Sequence, residues 1–227
     1  MVAGLIVGCS GNPIDRNEYV NRAVYRFNKV ADRIVVKPIA RTYEALIPKP
    51  IQTMVGNFFQ NLGEIPNMGN DILQGNFAGL SQDTARFLIN STWGVGGLLD
   101  VAAMGKPGLE ARHQDFGLTL AKWGYKNSDY LVLPILGPST FRDTIGRVGT
   151  YYMSAPAYLK SVSLRNGLLA VSFVDTRASL LKAEPLIEES VDEYVFIRDA
   201  YLQHRADQMK GEVSATAESA PLAGPPE

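Results

Sequence analysis

Few side chains of this 227-residue chain have the type and spacing that catalysis needs. The histidines His113 and His204 stand far apart and only one cysteine, Cys9, accompanies them, which does not match the ligand spacing of a zinc site. The G-x-S-x-G elbow of the usual lipases is also missing. A hydrolase would have to use Ser91 or Ser139 as nucleophile and His113 as base. Because the carboxylates are scattered or flank helices, we predict a protein that is not an enzyme and holds no metal or cofactor.

The single cysteine has a different chemistry open to it, which is acylation. Residues 5–9 read Leu-Ile-Val-Gly-Cys and match a bacterial lipobox, and a polar tether follows at 10–13. The residues before Cys9 lack the basic start of a lipoprotein signal, so we expect a late start site or a truncated signal. The alternative is a buried free thiol near the N-terminus. We favour residues 1–9 as a signal remnant with Cys9 acylated, which would hold the protein on a membrane.

Composition and charge exclude further classes. The net charge of −1 argues against a nucleic-acid partner. No uninterrupted apolar run reaches the ~18 residues that a membrane-spanning helix needs. Residues 10–210 are predicted to form one mostly α domain, and the small, polar, proline-rich segment 211–227 is predicted to be a disordered tail.

The clearest amphipathic helix is predicted from residue 16 to residue 36. Its apolar positions recur at steps of three and four: Val20, Val24, Phe27, Ala31 and Ile34. Its opposite face is a basic stripe made of Arg22, Arg26, Lys29, Arg33 and Lys37. A basic amphipathic helix is typical of an anionic lipid surface, so we predict that this stripe faces a membrane. The alternative is the solvated face of a helix packed on a protein core.

Proline and glycine divide the rest of the chain into short helices. Pro38 is predicted to end or kink the first helix, and Pro50 to begin a second that closes at Gly63 and Pro66. Further helices or helical turns are predicted at 84–90 (with an earlier start near Phe77 as an option), 98–104, 116–123, 139–153, 164–181 and 191–209.

Two apolar segments are irregular. Trp93, Gly94, Gly96 and Gly97 form a bend that no regular helix crosses, and the proline-broken segment 130–138 is predicted to be an apolar hairpin. Surface loops are normally polar because bare backbone needs water, so these segments belong in a core or against a cavity or bilayer. The plain alternative for the bend is an elbow between two core helices. As channel or gate candidates we name Trp93, Gly94, Gly96, Gly97, Tyr130, Leu133, Pro134 and Gly137.

Several motifs, in order and spacing, resemble the MlaA (VacJ) lipoprotein family over residues 15–205. They are Asn-Arg at 21–22, Tyr-Arg-Phe-Asn at 25–28, Asn-Phe-Phe-Gln-Asn-Leu at 57–62, Arg-Phe-Leu-Ile-Asn-Ser-Thr at 86–92, Gly-Val-Gly-Gly-Leu-Leu-Asp-Val-Ala at 94–102, Asp-Phe-Gly-Leu-Thr-Leu at 115–120, Leu-Pro-Ile-Leu-Gly-Pro-Ser at 133–139, Arg-Asp at 142–143 and Arg-Asp-Ala-Tyr-Leu-Gln at 198–203. The abbreviated signal is the departure from the family pattern.

The resemblance implies a ring-like helical domain around a central amphipathic channel, lipid-anchored in the periplasmic leaflet of the outer membrane beside a trimeric porin. Such a protein removes phospholipids that have strayed into the outer leaflet and passes them to a soluble periplasmic carrier of the MlaC type. Ser10 after the cysteine resembles the signal for sorting to the outer membrane. Two other hypotheses are a membrane-associated phospholipid hydrolase and a structural lipoprotein that only scaffolds a porin.

Overall fold

The computed structural model describes residues 14–105 and 109–218, so Cys9, the signal remnant and residues 219–227 lie outside the described residues. The helices are α1 (Glu18–Ala31), α2 (Lys37–Leu46), α3 (Lys49–Gln74), α4 (Phe77–Thr92), α5 (Phe116–Lys122), α6 (Phe141–Met153), α7 (Val162–Leu180), α8 (Glu184–Glu188) and α9 (Glu193–Glu218). The strands are β1 (Tyr130–Leu133) and β2 (Gly137–Thr140). The predicted mostly α class is confirmed.

The first predicted helix is α1, and a π-helical turn, Asp32–Val36, joins it to α2. Pro38 lies in the first turn of α2, where its missing N–H leaves no donor for the preceding turn. The hydrogen-bond ladder shifts by one residue there instead of breaking, which is how π-bulges bend helices. The α-helix predicted to end or kink at Pro38 thus gives way to π-helical hydrogen bonding just before this proline, and α2 continues the chain beyond it.

The predicted end of the second helix at Gly63 and Pro66 is wrong, because α3 runs through both residues to Gln74. Its second half buries polar side chains at helical spacing: Asn61, Glu64, Asn67, Asn70, Asp71 and Gln74. These groups find partners across α4, α5 and the segment before α5, and that tertiary pairing outweighs the local cost of proline. Asn70 also donates to the Pro66 carbonyl oxygen at 2.8 Å.

Most other boundaries fall close to prediction. The structure has Phe77–Thr92, Phe116–Lys122, Phe141–Met153 and Val162–Leu180, and it reduces the predicted 98–104 turn to a 3-10 turn at Ala102–Met104. The last helix runs to Glu218, which overlaps the tail predicted from Gly211. The predicted hairpin is confirmed, with β1 and β2 antiparallel and Tyr130 opposite Thr140.

The distribution of polarity is reversed relative to an ordinary soluble domain. The most deeply buried side chains are mainly polar or charged and include Asp15, Glu64, Asn70, Asp71, Asp83, Arg86, Gln114, Ser139 and Arg142. Large apolar side chains are exposed along the outer surface, including Tyr19, Val20, Phe27, Val30 and Ile34 on α1 and Val162, Leu164, Leu169, Val171 and Phe173 on α7. Within the described ranges, no helix is both long and apolar enough to cross a bilayer.

Candidate functional site

A cavity of about 320 Å³ lies between the hairpin and the helices α1, α2, α7, α8 and α9. Its apolar wall is formed by Tyr25, Tyr130, Val132, Gly137, Pro138, Leu180, Ile187 and Ile197. Charged and polar groups also line it: Asn28, Lys29, Asp32, Arg33, Lys37, Arg177, Glu184, Glu188 and Glu193. We call this space the hairpin cavity. Its lining is amphipathic, with both signs of charge beside an apolar surface.

Most charges of the hairpin cavity are paired across elements distant in sequence. Arg177 of α7 donates two hydrogen bonds to Asp32, at 2.7 and 2.8 Å, and also contacts Glu184. Lys37 lies 2.8 Å from Glu184. Burial alone would raise the pKa of Glu184, but the hydrogen bonds from Arg177 and Lys37 bring it below its ordinary value. This network joins the π-turn after α1 to α7 and α8.

Arg33 differs from the other cations of the hairpin cavity. Lys29 binds Glu193, and this hydrogen bond holds the pKa of that carboxyl below its usual range. Arg33 is exposed, and among the ion pairs of residues 14–105 and 109–218 none includes it. Its charge also lowers the pKa of Glu193, and its exposed guanidinium can bind an anionic group that enters the cavity.

That the basic stripe faces a membrane stays a prediction, and in the structure most of the stripe contacts other parts of the protein. Lys29, Arg33 and Lys37 line the hairpin cavity, and Arg22 binds Asp192 at 2.8 Å while stacking on the Tyr194 ring. Arg26 is exposed outside the hairpin cavity. The acids that precede and begin α9 pair with Arg22 and Lys29. The exposed side chains of Val20, Phe27 and Ile34 show that the apolar face of this helical segment is turned outward. Sequence periodicity located both faces but had no means of telling which one pointed inward.

The family model for the MlaA lipoprotein matches residues 13–208, nearly the whole described part of the chain. The chain belongs to the MlaA lipoprotein family. It is 34% identical over 208 residues to the intermembrane phospholipid transport system lipoprotein MlaA of Escherichia coli (strain K12), covering 88% of this chain and 82% of that protein. It is 39% identical over 194 residues to an uncharacterised protein of Rickettsia felis, covering 85% of this chain and 76% of that protein.

A solved structure described as the structural basis for maintenance of bacterial outer membrane lipid asymmetry has the same fold. The TM-score is 0.75 with 32% sequence identity, and the match covers 86% of this chain and 98% of that one. The mostly helical fold seen here is thus the MlaA fold.

One of the MlaA motifs, the glycine bend, lies apart from the hairpin cavity. Trp93 is 71% exposed, and Trp93, Gly94, Gly96 and Gly97 do not contribute to the cavity wall. Gly97 has φ +91° and packs on Asn61, where a Cβ atom would approach within 2.6 Å. The structure thus separates these channel candidates from Tyr130 and Gly137, which line the cavity. Leu133 and Pro134 belong to the hairpin but not to the cavity wall.

A buried ion network beneath the bend explains the MlaA motifs at 86–92 and 94–102. Arg86 binds Glu64 at 2.7 Å and Asp100 at 3.2 Å, and Asn90 donates to Asp100 at 2.9 Å. Asn90 also accepts a hydrogen bond from the Ala102 N–H. The motif residues therefore fix the path of the bend. The sequence analysis assigned these motif residues no role. The opposite charges of Arg86 and Asp100, on either side of the glycine bend, could have indicated an ion pair.

The three groups of the hydrolase hypothesis have separate partners. Ser139 is buried and hydrogen-bonded to Thr144, and Ser91 accepts from Asn61 at 3.0 Å. His113 lies 3.5 Å from Asp115. The structure does not assemble a nucleophile and base from these residues, and the MlaA family is a lipid-transport lipoprotein family.

Sequence reasoning also missed much of the cavity wall. Asn28 and Asp32 stand beside the basic stripe in sequence, and their positions on the inward face follow from helical periodicity once that face is known. Arg177, Glu184 and Ile197 come from the last third of the chain, and no local pattern connects them to α1.

Proposed function

We propose that this protein is an outer-membrane lipoprotein that takes mislocalised phospholipids from the outer leaflet and passes them towards the periplasm, which maintains lipid asymmetry. The Escherichia coli relative is named for intermembrane phospholipid transport, and this chain covers 82% of its length. The observation that carries the proposal for this chain is the amphipathic hairpin cavity, set in a molecule that exposes many large apolar side chains.

The outer surface supports residence within one leaflet. Exposed apolar side chains on α1, α4 and α7 would be costly in water and favourable in hydrocarbon, at roughly 25 cal/mol per Å². The polar interior satisfies backbone and side-chain groups away from lipid, as a membrane-embedded protein requires. We propose that acylation at Cys9 adds an anchor in the periplasmic leaflet of the outer membrane.

The lining of the hairpin cavity supports the passage of a phospholipid without any chemical reaction. A charged head group that crosses hydrocarbon alone meets a barrier of several kcal/mol, and charged groups along a path lower it. In our proposal the phosphate contacts Arg33, and the acyl chains contact the apolar wall near Ile187 and Val132. The lipid leaves unchanged, so no catalytic group is required.

We extend the proposal to the assembly in which the protein works. The helices form a ring whose channel includes the hairpin cavity, a trimeric porin sits beside the ring, and a soluble periplasmic carrier of the MlaC type receives the lipid. The apolar outer surface is suited to a membrane-embedded neighbour, and the amphipathic cavity to handing on a lipid.

Filling the hairpin cavity tests this function. Ile187→Trp places an indole in the cavity wall, and we expect it to block lipid removal. Leu186→Trp is the matched control, because the neighbouring side chain is exposed and does not line the cavity. In cells that depend on this chain, phosphatidylethanolamine at the cell surface is measured with an amine-reactive label that does not enter cells. Surface label should rise with Ile187→Trp and stay at the native level with Leu186→Trp.

Normal clearance by a folded, normally abundant Ile187→Trp protein would contradict passage through the hairpin cavity. If that variant also co-purified with the porin as well as the native protein does, a scaffolding role would account for the data better.

A further inference from the structure

Among the described residues, no third strand pairs with the outer edge of strand β1: the Ile14 carbonyl accepts a hydrogen bond from the Tyr130 N–H at 2.7 Å, and side chains supply the rest of the pairing. Two asparagines about two turns apart on α1 supply the pairing. Asn21 donates to the Tyr130 carbonyl at 3.0 Å and accepts from the Val132 N–H at 3.0 Å. Asn28 donates to the Leu133 carbonyl at 2.8 Å and accepts from the Ile135 N–H at 2.7 Å. A carboxamide has the donor and acceptor of a peptide group, so each asparagine replaces one peptide of a missing strand.

The two ends of this pairing differ in how firmly they are held. Asn21 is 2% exposed and also donates to Asp15 at 2.8 Å. Asp15 is itself bound by Tyr194 and Arg198 of α9. Asn28 is only partly buried and lines the hairpin cavity. The Asn21 end is therefore a fixed base, and the Asn28 end lies at the hairpin turn beside the open space.

The turn that Asn28 holds is strained. Ile135 has φ +65°, and the Leu136 N–H donates to the Pro134 carbonyl at 2.7 Å, which is the bond of a γ-turn. A γ-turn with positive φ at its centre is rare, and a β-branched residue is an outlier in that region. The Ile135 and Leu136 side chains are 61% and 55% exposed, so packing does little to hold the turn. Strain of this kind persists only where surrounding contacts impose it.

We propose that Asn28 is a positioning residue that latches the hairpin turn in its strained form, and that release of this latch widens the hairpin cavity for a phospholipid. Gly137 and Pro138 directly follow the turn and form part of the cavity wall. A turn that relaxes away from Asn28 withdraws that wall, while the Asn21 pairing keeps the rest of the hairpin in register. This inference rests on the proposed transport function for its consequence, but the latch itself can be measured separately.

The latch is tested by hydrogen–deuterium exchange of the backbone amides of residues 133 and 135–137 in the full-length lipidated protein in phospholipid vesicles. Asn28→Asp keeps the size and one acceptor but sets a carboxylate oxygen against the Leu133 carbonyl oxygen, so we expect about tenfold faster exchange at Ile135. Ile135→Gly relieves the strain and leaves the backbone N–H in place, so exchange corrected for residue type should slow several-fold. Asn166→Asp, the same change at an exposed position on α7, should leave this segment unaffected.

The consequence is tested by the rate at which pulse-labelled phosphatidylethanolamine disappears from the cell surface. Asn28→Asp should speed clearance several-fold although it loses some stability, and Ile135→Gly should slow clearance although strain is relieved. A merely structural role for Asn28 would lower stability and clearance together.

The outcomes separate the two proposals. Unchanged exchange at Ile135 in Asn28→Asp overturns the latch whatever the transport rate. Faster exchange with unchanged clearance overturns its control of passage. If the native protein itself clears no lipid, the proposed function falls, while faster exchange in Asn28→Asp still supports the latch.

Discussion

At the scale of single residues, this protein buries charge where most proteins bury hydrocarbon. Arg86 and Glu64 are each almost fully buried and paired, and Arg205 bridges Asp115 and Asp143. Removing one member of such a pair leaves an uncompensated buried charge, which typically costs about 3–5 kcal/mol. The folded interior is therefore stable only when each buried charged side chain has its oppositely charged partner in place.

Asp83 is a fully buried carboxyl whose pKa is shifted into the neutral range. Its pKa is raised to about 7, mainly by burial and also by the charges of Asp71 and Glu64, while Arg112 acts in the opposite direction. In the unfolded chain an aspartate titrates near 3.9. Between about pH 4 and pH 7 the unfolded chain loses this proton while the folded protein keeps it. The stabilising contribution of Asp83 is thus complete below pH 4, falls as pH rises, and levels off above pH 7.

Asp83→Asn should make the free energy of unfolding less dependent on pH in this range. A neutral amide has no proton to lose, so we expect the variant to gain roughly 2 kcal/mol relative to the native protein between pH 5 and pH 8. Denaturant unfolding at a series of pH values measures it. Asp129→Asn, at a half-exposed position paired with Arg16, should retain the native slope. An unaltered slope in Asp83→Asn would contradict the assignment.

Below pH 4, other carboxyls make the protein less stable as the pH falls, which is the opposite of the Asp83 effect. Burial would raise the pKa of Asp115, but hydrogen bonds from His113 and Arg205 hold it below its usual range. Its contribution to stability is present above about pH 4 and lost as pH falls further. The pH ranges in which Asp115 and Asp83 change the stability do not overlap, so the effect of Asp83 can be measured separately between pH 5 and pH 8.

At the scale of elements, close helix approach fixes the packing of α5 on α6. Gly146 of α6 lies against the backbone of Gly117 in α5, and a Cβ atom at Gly146 would be 2.4 Å from the Gly117 nitrogen. Backbone has little room to move, so the two helices can meet this closely only without a side chain at that position.

Gly146→Ala should therefore destabilise the protein, whereas Gly167→Ala on α7 should not. We expect Gly146→Ala to cost about 1–3 kcal/mol or more because of overpacking. No atom lies within 4 Å of a Cβ atom built at Gly167, so alanine there should add roughly 0.5–1 kcal/mol of stability through helix propensity. The midpoints of thermal or denaturant unfolding compare the two. Equal effects of both changes would rule out close approach as the reason for Gly146.

At the scale of the whole molecule, many large apolar side chains are exposed and many polar side chains are buried, which is the arrangement expected of a protein in lipid surroundings. Trp93 offers a direct probe, because it is exposed at the glycine bend and only one other tryptophan, Trp123, exists. If the outer surface lies in hydrocarbon, Trp93 contacts acyl chains and not water.

We expect brominated phospholipids to quench Trp93 strongly in a Trp123→Phe protein reconstituted into vesicles, with weak quenching by aqueous acrylamide. A Trp93→Phe, Trp123→Phe protein supplies the blank. Strong acrylamide quenching without quenching by brominated lipid would place the bend in water and contradict membrane residence of this surface.

The sequence by itself determined the mostly α class, the hairpin at 130–138 and most helix positions, because spacing of apolar residues, proline and glycine acts locally. Its motifs also pointed to the MlaA family. The predicted helix end at Pro66 was wrong, because the hydrogen-bond partners that stabilise α3 beyond this proline belong to other elements.

Only the tertiary structure decided which face of α1 points inward. An amphipathic helix has the same pattern whether its apolar face meets a protein core or a lipid, so periodicity leaves the direction open. The direction follows from acids more than a hundred residues away, Glu184, Asp192 and Glu193, which the fold brings against Lys37, Arg22 and Lys29. Long-range charge pairing is a property of the folded chain, and no local stretch of sequence contains it.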